Sequence, residues 1–409
     1  MNKCQFGAEM KKEKLAIVSS HDDFCGIASY SRTLAKGLSN HFEVTIISLN
    51  VELLRKGDSK AANVHIKRIC DQLKTFDCVS IQFEEGLFGT SIRSIKKRFF
   101  AIAKSCKKLT LTMHSYYDKV KYPSIVSLGK ILLTGKLMNY IMDLKATYSS
   151  NRHLPLLNSI IRYCIKKNVP IIVHNKRVRE LIEIKFKYNN VFDHPLCYYD
   201  QGHIQSISQM FTRKDFCQSL TLDENKTYIG LFGFISNSKG HATAIKALEH
   251  LPENYELLIF GAQHPHSIRL QESLNAYIES LLKIIETMKL SNRVKFHRSA
   301  NDDDFLKFMI RCDFNVVPYL EVNQNASGIA ALSLEANSKT ICSQNHTFFE
   351  LEKYAPNCFK IFTIGNHLEL ANAILSYRKS EYSSSLQEYH KRYNIHTSAE
   401  LYKRLFAEV

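Results

Sequence analysis

The chain has 409 residues, a net charge of +16 and eleven cysteines. This length predicts two domains, each large enough to bury a core without disulfides. The cysteines are odd in number, scattered and never in a Cys-x-x-Cys pair. That pattern favours reduced thiols in a cytosolic compartment over a disulfide framework or a zinc site. The polar, basic start predicts no secretory signal, and no apolar run is long enough to predict a membrane span.

Short apolar runs rich in branched residues alternate with helical stretches in the first half of the chain. The predicted strands are Leu15–Ser20, Phe42–Leu49, Phe76–Phe83, Lys108–His114 and Pro170–His174, and the helices include Ile27–Leu38 and Ser91–Lys107. Such alternation implies a parallel sheet wound on both faces. The same pattern restarts at Tyr228 after a polar stretch. We therefore predict an α/β chain with domains at 1–205 and 206–382 and a terminal helix at 383–409.

A basic helical insertion is predicted at about 119–168, where one crossover helix would suffice but the chain has room for two or three. The region from Ser124 to Met142 is apolar on a broad face, and its only charges are lysines, Lys130 and Lys136. Two interpretations stay open. It is either an interfacial helix whose lysine stems reach toward anionic headgroups, or an insertion packed onto its own domain.

Positive charge is concentrated in the first domain. Between Gly86 and Arg179 there are nineteen lysines and arginines against two acids, Asp118 and Asp143. Such a surface favours an anionic partner, so we expect a peripheral position on the cytoplasmic face of the plasma membrane. Nucleic-acid binding is not expected, because aromatic-basic recognition motifs are missing. The predicted membrane or acceptor face consists of Lys96, Lys97, Arg98, Lys130 and Lys136.

A small-residue loop beginning at Gln324 follows a predicted strand and leads into a helix. Ser327, Gly328 and Ile329 would offer unpaired N–H groups at the helix N-terminus, where an anion is stabilised. Two turns on, the Glu335 carboxylate can accept hydrogen bonds from a ribose diol. The pattern predicts a nucleotide-diphosphate site. The alternative is an ordinary serine N-cap followed by a solvated glutamate.

A second phosphate-type element lies upstream, where an apolar strand from Tyr228 runs into a polar turn. The turn contains Gly233 and ends in Lys239-Gly240, and a helix starts at once with His241. A lysine at the mouth of a helix predicts a contact to another face of the same diphosphate. The turn matches neither a Walker loop nor a Gly-x-Gly-x-x-Gly fingerprint.

Together these motifs resemble the retaining GT-B glycosyltransferases of glycosyltransferase family 4, also called group 1. The donor-half resemblance rests on Gly233-Phe-Ile-Ser-Asn-Ser-Lys-Gly240, Leu257 to Pro265, Arg293 to Phe296, Val317-Pro-Tyr319, Gln324 to Gly328 and Glu335-Ala336. The acceptor-half resemblance rests on Gly26 to Tyr30, Ile81 to Gly89 and Thr112-Met-His114. The resemblance implies two Rossmann-like domains facing a cleft, with the C-terminal helix crossing back to the first domain.

The resemblance also implies an activity: transfer of a hexose, with retention, from a UDP- or GDP-linked sugar to a hydroxyl of a glycan or lipid-linked acceptor. A role in bacterial surface polysaccharide or glycolipid synthesis is expected. His114, at a strand end, would contact the transferred sugar, and Gly26 would allow close approach to the donor phosphates. Lys239 and the amides near Ser327 would stabilise the leaving diphosphate, and Glu335 would hold the ribose. No cofactor is expected, because the nucleotide sugar is a substrate.

Two positions depart from the family pattern. Ser327 stands where the first of two glutamates is usual, and the usual arginine before Lys239 is missing. A non-catalytic protein of GT-B fold that binds a nucleotide sugar or a polyanion therefore stays open as the alternative. Asn301 to Asp304 contains an Asp-x-Asp, which holds a metal in another glycosyltransferase fold. Here it precedes an apolar stretch and predicts a helix start, so no metal is expected.

Overall fold

The computed structural model describes residues 12–20, 26–56, 59–116, 153–261, 276–298, 302–320, 325–336, 338–378 and 382–408. The chain forms two compact units. The first comprises Met1–Val173, Arg177–Asp193 and Ala399–Val409, and the second comprises His174–Lys176 and His194–Ser398. Each unit contains a six-stranded parallel sheet with helices around it, which confirms the predicted α/β architecture.

The sheet of the first unit has the order β2-β1-β3-β4-β5-β6. Its strands are β1 (Lys14–Ser19), β2 (Glu43–Ser48), β3 (Cys78–Phe83), β4 (Lys108–Met113), β5 (Ile171–Val173) and β6 (Val191–Asp193). The helices between them are α1 (Gly26–Leu38), α2 (Val51–Lys56), α3 (Ser59–Leu73), α4 (Glu85–Phe88), α5 (Ile92–Lys104), α6 (His153–Lys167) and α7 (Lys176–Phe186). The strand order reverses between β1 and β3, which makes that position the topological switch point.

The core of the first unit follows from its sequence pattern. Every residue of β3 is buried, as expected for a central strand covered by helices on both faces. Helix α5 buries Ile95, Phe99 and Ile102, a helical spacing that turns one stripe toward the sheet. Ser91 begins this helix as its N-cap, accepting a hydrogen bond from the Ser94 N–H.

The sheet of the second unit has the order β12-β11-β10-β7-β8-β9. Its strands are β7 (Thr227–Phe232), β8 (Tyr255–Phe260), β9 (Val294–His297), β10 (Phe314–Val317), β11 (Thr340–Ser343) and β12 (Lys360–Phe362). Its helices are α8 (Gln201–Met210), α9 (Arg213–Leu220), α10 (His241–Leu248), α11 (Ala276–Thr287), α12 (Asp302–Arg311), α13 (Gly328–Glu335), α14 (His346–Glu352), α15 (His367–Leu375) and α16 (Ser383–Arg392). This is the strand order of dinucleotide-binding domains, and its switch point lies between β7 and β10.

The predicted single terminal helix is in fact two helices, α16 and α17 (Ile395–Ala407). They are separated at Asn394, whose side-chain oxygen accepts hydrogen bonds from the His396 and Thr397 N–H groups. An asparagine in this position caps a new helix and does not extend the old one.

Residues from Ala399 onward belong to the first unit. The hydroxyls of Tyr402 and Thr112, the latter on β4, are hydrogen-bonded and both side chains are fully buried. Phe406 packs edge-on against Phe42, with ring centroids 5.7 Å apart. The last helix therefore completes the core of the first unit.

The division of the chain differs from the predicted boundaries at residues 205 and 382. Residues from His194 belong to the second unit, and so does α16. One reason is that Tyr198 lies against both ends of α13, through its N–H to Glu335 and its hydroxyl beside Gly328.

All nine cysteines in the described ranges are free thiols. Among the described helices, none combines the length and the apolar character needed to cross a bilayer.

Candidate active site

Two loops meet at the switch point of the second sheet. One leaves the carboxyl end of β7 and enters α10, and the other leaves β10 and enters α13. Strands β7 and β10 are hydrogen-bonded neighbours. Ligands of open α/β sheets bind beside the carboxyl ends of strands at such a point. The fold therefore places both predicted phosphate elements where a ligand is expected.

The turn after β7 is held tightly against the end of β10. Gly240 has φ +70°, and a Cβ on it would lie 1.8 Å from the Pro318 carbonyl oxygen. The Leu320 N–H donates to the Ser238 carbonyl at 2.8 Å. Gly233 has φ +110°, and a Cβ there would meet Ile329 at 3.5 Å. The turn needs glycine at both positions, because each has a positive φ.

One aromatic ring joins the two loops. The Lys239 ammonium lies 3.7 Å from the centroid of the Tyr319 ring. The Ser327 hydroxyl, at the start of α13, donates to the Tyr319 hydroxyl at 3.4 Å. A cation over an aromatic face is attracted by the ring quadrupole, which favours this position for the lysine. The predicted convergence of Lys239 with the start of α13 is therefore seen in the structure.

Helix α13 begins as an N-capped helix. The Ser327 Oγ accepts a hydrogen bond from the Ala330 N–H at 3.2 Å. The helix itself gives the amides of Gly328 and Ile329 no acceptor, because they precede its first intrahelical bond. A Cβ on Gly328 would lie 2.6 Å from the Tyr198 hydroxyl oxygen, so a larger residue would displace that tyrosine. These two amides are the donors that an anion could use here.

Glu335 ends α13 and is 3% exposed, so the solvated-glutamate interpretation is wrong. Its Oε1 accepts the Tyr198 N–H at 2.8 Å, while the buried Oε2 has no partner of proper hydrogen-bond geometry among the described residues. Burial raises the pKa of Glu335 to about 8; the Tyr198 and Tyr199 amides oppose the rise and Asp200 adds to it. Ribose binding by Glu335 stays a prediction, with Oε2 as the oxygen left to accept a hydroxyl.

The buried carboxyl predicts a pH dependence of stability. Because its folded-state pKa lies above its unfolded value, the stabilisation is complete below about pH 4.5 and is lost as pH rises through about 8. We expect Glu335→Gln to remove this loss. The free energy of unfolding of the variant, relative to that of wild type, should therefore rise between pH 6.5 and 8 by up to about 1.4 kcal/mol per pH unit. Urea unfolding at several pH values measures this difference. The exposed-site variant Glu388→Gln should follow wild type, and parallel curves for Glu335→Gln would contradict the assignment.

His114 lies at the carboxyl edge of the first sheet, directly after β4. Its Nε2 lies 3.1 Å from the Gln82 Oε1, and its ring packs edge-on against Tyr30 at 5.5 Å. Tyr30 lies one turn beyond Gly26, the exposed first residue of α1. The structure therefore brings His114 close to the helix that Gly26 begins.

Glu84 and Glu85 lie at the same edge, after β3, and had no predicted role. The Ser115 hydroxyl donates to Glu84 at 2.6 Å, and His153 pairs with Glu85. Burial raises the pKa of both carboxyls. Two acidic residues directly after an apolar strand could have indicated a functional site at the sheet edge. No sequence pattern indicated that the distant His153 would pair with one of them.

The predicted basic surface is partly wrong. Lys96 and Lys97 are exposed on α5, but Arg98 is 8% exposed and donates to the carbonyls of Leu54 and Phe88 at 2.8 and 2.7 Å. It is held inside by these bonds and is unable to reach a partner surface. Lys130 and Lys136 lie outside the described residues.

The Asp-x-Asp segment begins a helix: α12 starts at Asp302. Within the described residues, no group of three or more His, Cys, Asp or Glu side chains is placed to hold a metal ion.

Solved structures similar to this chain include Anabaena HepE in complex with UDP and glucose, which is 14% identical with a TM-score of 0.61 over 97% of this chain and 100% of that one. A glycosyltransferase from Rickettsia africae is 12% identical, with a TM-score of 0.64 over 97% and 98%. WaaG, a glycosyltransferase involved in lipopolysaccharide biosynthesis, is 13% identical, with a TM-score of 0.56 over 92% and 94%. The chain has the GT-B fold.

No protein-family model and no curated protein matches the sequence. The GT-B likeness therefore comes from structure at low sequence identity. Within this GT-B chain, Lys239 and Ser327 lie at the switch point of the second unit, and His114 lies at the strand ends of the first.

Proposed function

We propose that the protein is a glycosyltransferase that moves a hexose from a nucleotide diphosphate-sugar to a hydroxyl of a glycan or lipid-linked acceptor. The observation that carries the proposal is the position of the Tyr319 side chain at the switch point. Its ring contacts the Lys239 ammonium, and its hydroxyl accepts a hydrogen bond from Ser327 at the start of α13. A cation and free amides are the groups that stabilise charge on a departing diphosphate. The GT-B fold supports the reaction class.

The similarity to HepE, which was solved with UDP, supports UDP as the donor nucleotide, with GDP as the second choice. We propose retention of the anomeric configuration and a place in bacterial surface polysaccharide or glycolipid synthesis. In this proposal Glu335 holds the ribose, His114 contacts the transferred sugar and Gly26 admits the donor phosphates. No cofactor takes part.

Thermal shift with UDP, GDP, ADP and their monophosphates tests the donor site, because a ligand that binds the folded state raises the unfolding midpoint. Hydrolysis of UDP-glucose without acceptor tests the activity. A midpoint shift without hydrolysis would favour the non-catalytic alternative. That alternative is considered because Ser327 stands where the family usually has a glutamate. No shift with any diphosphate would contradict both the transferase and a nucleotide-sugar binder, and would leave only the polyanion binder.

We also propose that transfer needs no metal. The acidic helix start at Asp302 is explained by local helix chemistry, and Lys239 with the amides of α13 can neutralise the leaving group. We expect UDP-glucose hydrolysis to survive treatment with EDTA. Loss of activity that manganese or magnesium restores would contradict this proposal.

A membrane-facing position is proposed for the first unit. Helices α3 and α5 lie side by side, with the Lys97 ammonium 3.4 Å from the Asn63 side-chain oxygen. The basic face, as we define it, is their exposed set Lys60, Lys67, Arg68, Arg93, Lys96, Lys97 and Lys104. The only acid on the two helices, Asp71, is paired with Lys74 at 2.7 Å. This face fits an anionic leaflet on the cytoplasmic side of the plasma membrane.

We expect sedimentation with phosphatidylserine vesicles at low salt, weakening as salt rises. The double variant Lys96→Glu, Lys97→Glu should bind at least tenfold more weakly, because each lysine near such a surface contributes about 1 kcal/mol. Its control, Lys283→Glu with Lys289→Glu, changes net charge equally on exposed sites of the second unit. Equal binding by the two double variants would show that net charge, not this face, attracts the vesicles.

A further inference from the structure

His241 lies directly behind the turn that carries Lys239. It is the first residue of α10, it is 0% exposed, and neither ring nitrogen has a hydrogen-bond partner among the described residues. Buried polar groups without partners are uncommon in folded proteins and reduce stability. A histidine in this state, beside the turn proposed to bind phosphate, indicates a group whose hydrogen bond is completed when a ligand binds.

The surroundings of the ring indicate which group can complete its hydrogen bond. Burial lowers the pKa of His241 to about 4; the Ser236 carbonyl opposes the shift and the Lys239 ammonium adds to it. The Ser236 carbonyl is therefore near enough to affect protonation, although it does not meet hydrogen-bond geometry. On another side, Tyr277 packs edge-on against the ring at 6.1 Å. The imidazole is neutral at neutral pH and carries one N–H donor.

The Ser236 carbonyl also controls the position of the lysine. It accepts the Lys239 backbone N–H at 3.1 Å, closing the short 3-10 turn Asn237–Lys239. A carbonyl oxygen has two lone pairs, so it can accept a second hydrogen bond from the His241 ring. A small movement of the turn toward α10 would complete that bond and fix Lys239 from behind.

We propose, on the basis of the proposed function, that His241 is a positioning residue for the donor diphosphate. Its imidazole N–H completes a hydrogen bond to the Ser236 carbonyl when the phosphates draw the turn onto the start of α10, and this bond sets the position of Lys239. The ring nitrogen that carries the N–H then gains a partner on binding, which strengthens affinity for a diphosphate.

The test uses His241→Phe, which keeps a ring against Tyr277 and removes both nitrogens. By calorimetry we expect about tenfold weaker binding of UDP, which corresponds to about 1.4 kcal/mol, and unchanged binding of UMP. The thermal midpoint without nucleotide should stay equal or rise, because an unpaired buried group has been removed. His241→Gln, which keeps an N–H donor, should recover part of the UDP affinity.

Wild-type UDP affinity in His241→Phe would overturn the inference, and so would a lower midpoint with equal losses for UDP and UMP, the behaviour of a histidine that only packs the core. If His241→Phe does not fold, the pair His241→Met and His241→Gln decides the same question, since only the second keeps an N–H. Failure of the wild-type protein to bind any nucleoside diphosphate would instead reject the proposed function.

Discussion

Lys239→Ala is expected to reduce UDP-glucose hydrolysis by roughly thirtyfold to a thousandfold, equivalent to about 2–4 kcal/mol of barrier. The ammonium lies at the switch point over Tyr319. In the proposed reaction it stabilises the charge that develops on the departing diphosphate. Loss of its contact with the ring removes only about 0.5–1 kcal/mol, so the folded protein should persist. Steady-state kinetics with a parallel unfolding measurement separate the two effects.

The matched control is Lys246→Ala, an exposed lysine on α10, the helix that follows the turn. It removes the same charge without touching the turn and should keep wild-type turnover. If Lys239→Ala also stays within a few-fold of wild type, Lys239 does not assist the leaving group.

Gly240→Ala should give the largest loss of stability. An alanine at φ +70° costs about 1–2 kcal/mol, and its Cβ would overlap the Pro318 carbonyl oxygen at 1.8 Å. Relieving that overlap means moving backbone, which adds about 1–3 kcal/mol and shifts Lys239 away from β10. We therefore expect both a lower free energy of unfolding and weaker UDP binding.

Gly365→Ala is the control for the cost of a positive φ alone. Gly365 has φ +75°, and nothing lies within 4 Å of an added Cβ. Its loss in urea unfolding should be about 1–2 kcal/mol, with UDP binding unchanged. Equal losses for the two variants would mean that the contact between Gly240 and Pro318 is not a constraint.

The convergence of Lys239 and Ser327 was predictable because both follow apolar strands, and parallel strands carry their following loops to one edge. The order of strands was not readable from the sequence, since local pattern does not reveal which strands pair. The break at Asn394 was also missed, although an asparagine directly before an apolar residue such as Ile395 is a usual helix start.

The error at Arg98 and the rejected solvated alternative for Glu335 share one cause: each assumes that a charged residue faces solvent. Arg98 lies three residues after Ile95 and four before Ile102, on the stripe that α5 turns inward. Helix α13 has no other charged residue and buries most of its length, so Glu335 has no polar face on which to lie. The helical spacing around Arg98 and the apolar neighbours of Glu335 indicate that both residues are buried, whereas a count of charges does not.

The bond between Thr112 and Tyr402 bears on the order in which the two units are completed during synthesis. These residues are 290 positions apart, yet they meet in one core. At about 5–20 residues per second, a ribosome needs roughly 15–60 s to supply the second partner after the first. All residues of the second unit emerge before Ala399. The half of the protein that begins the chain is therefore the last to close its core.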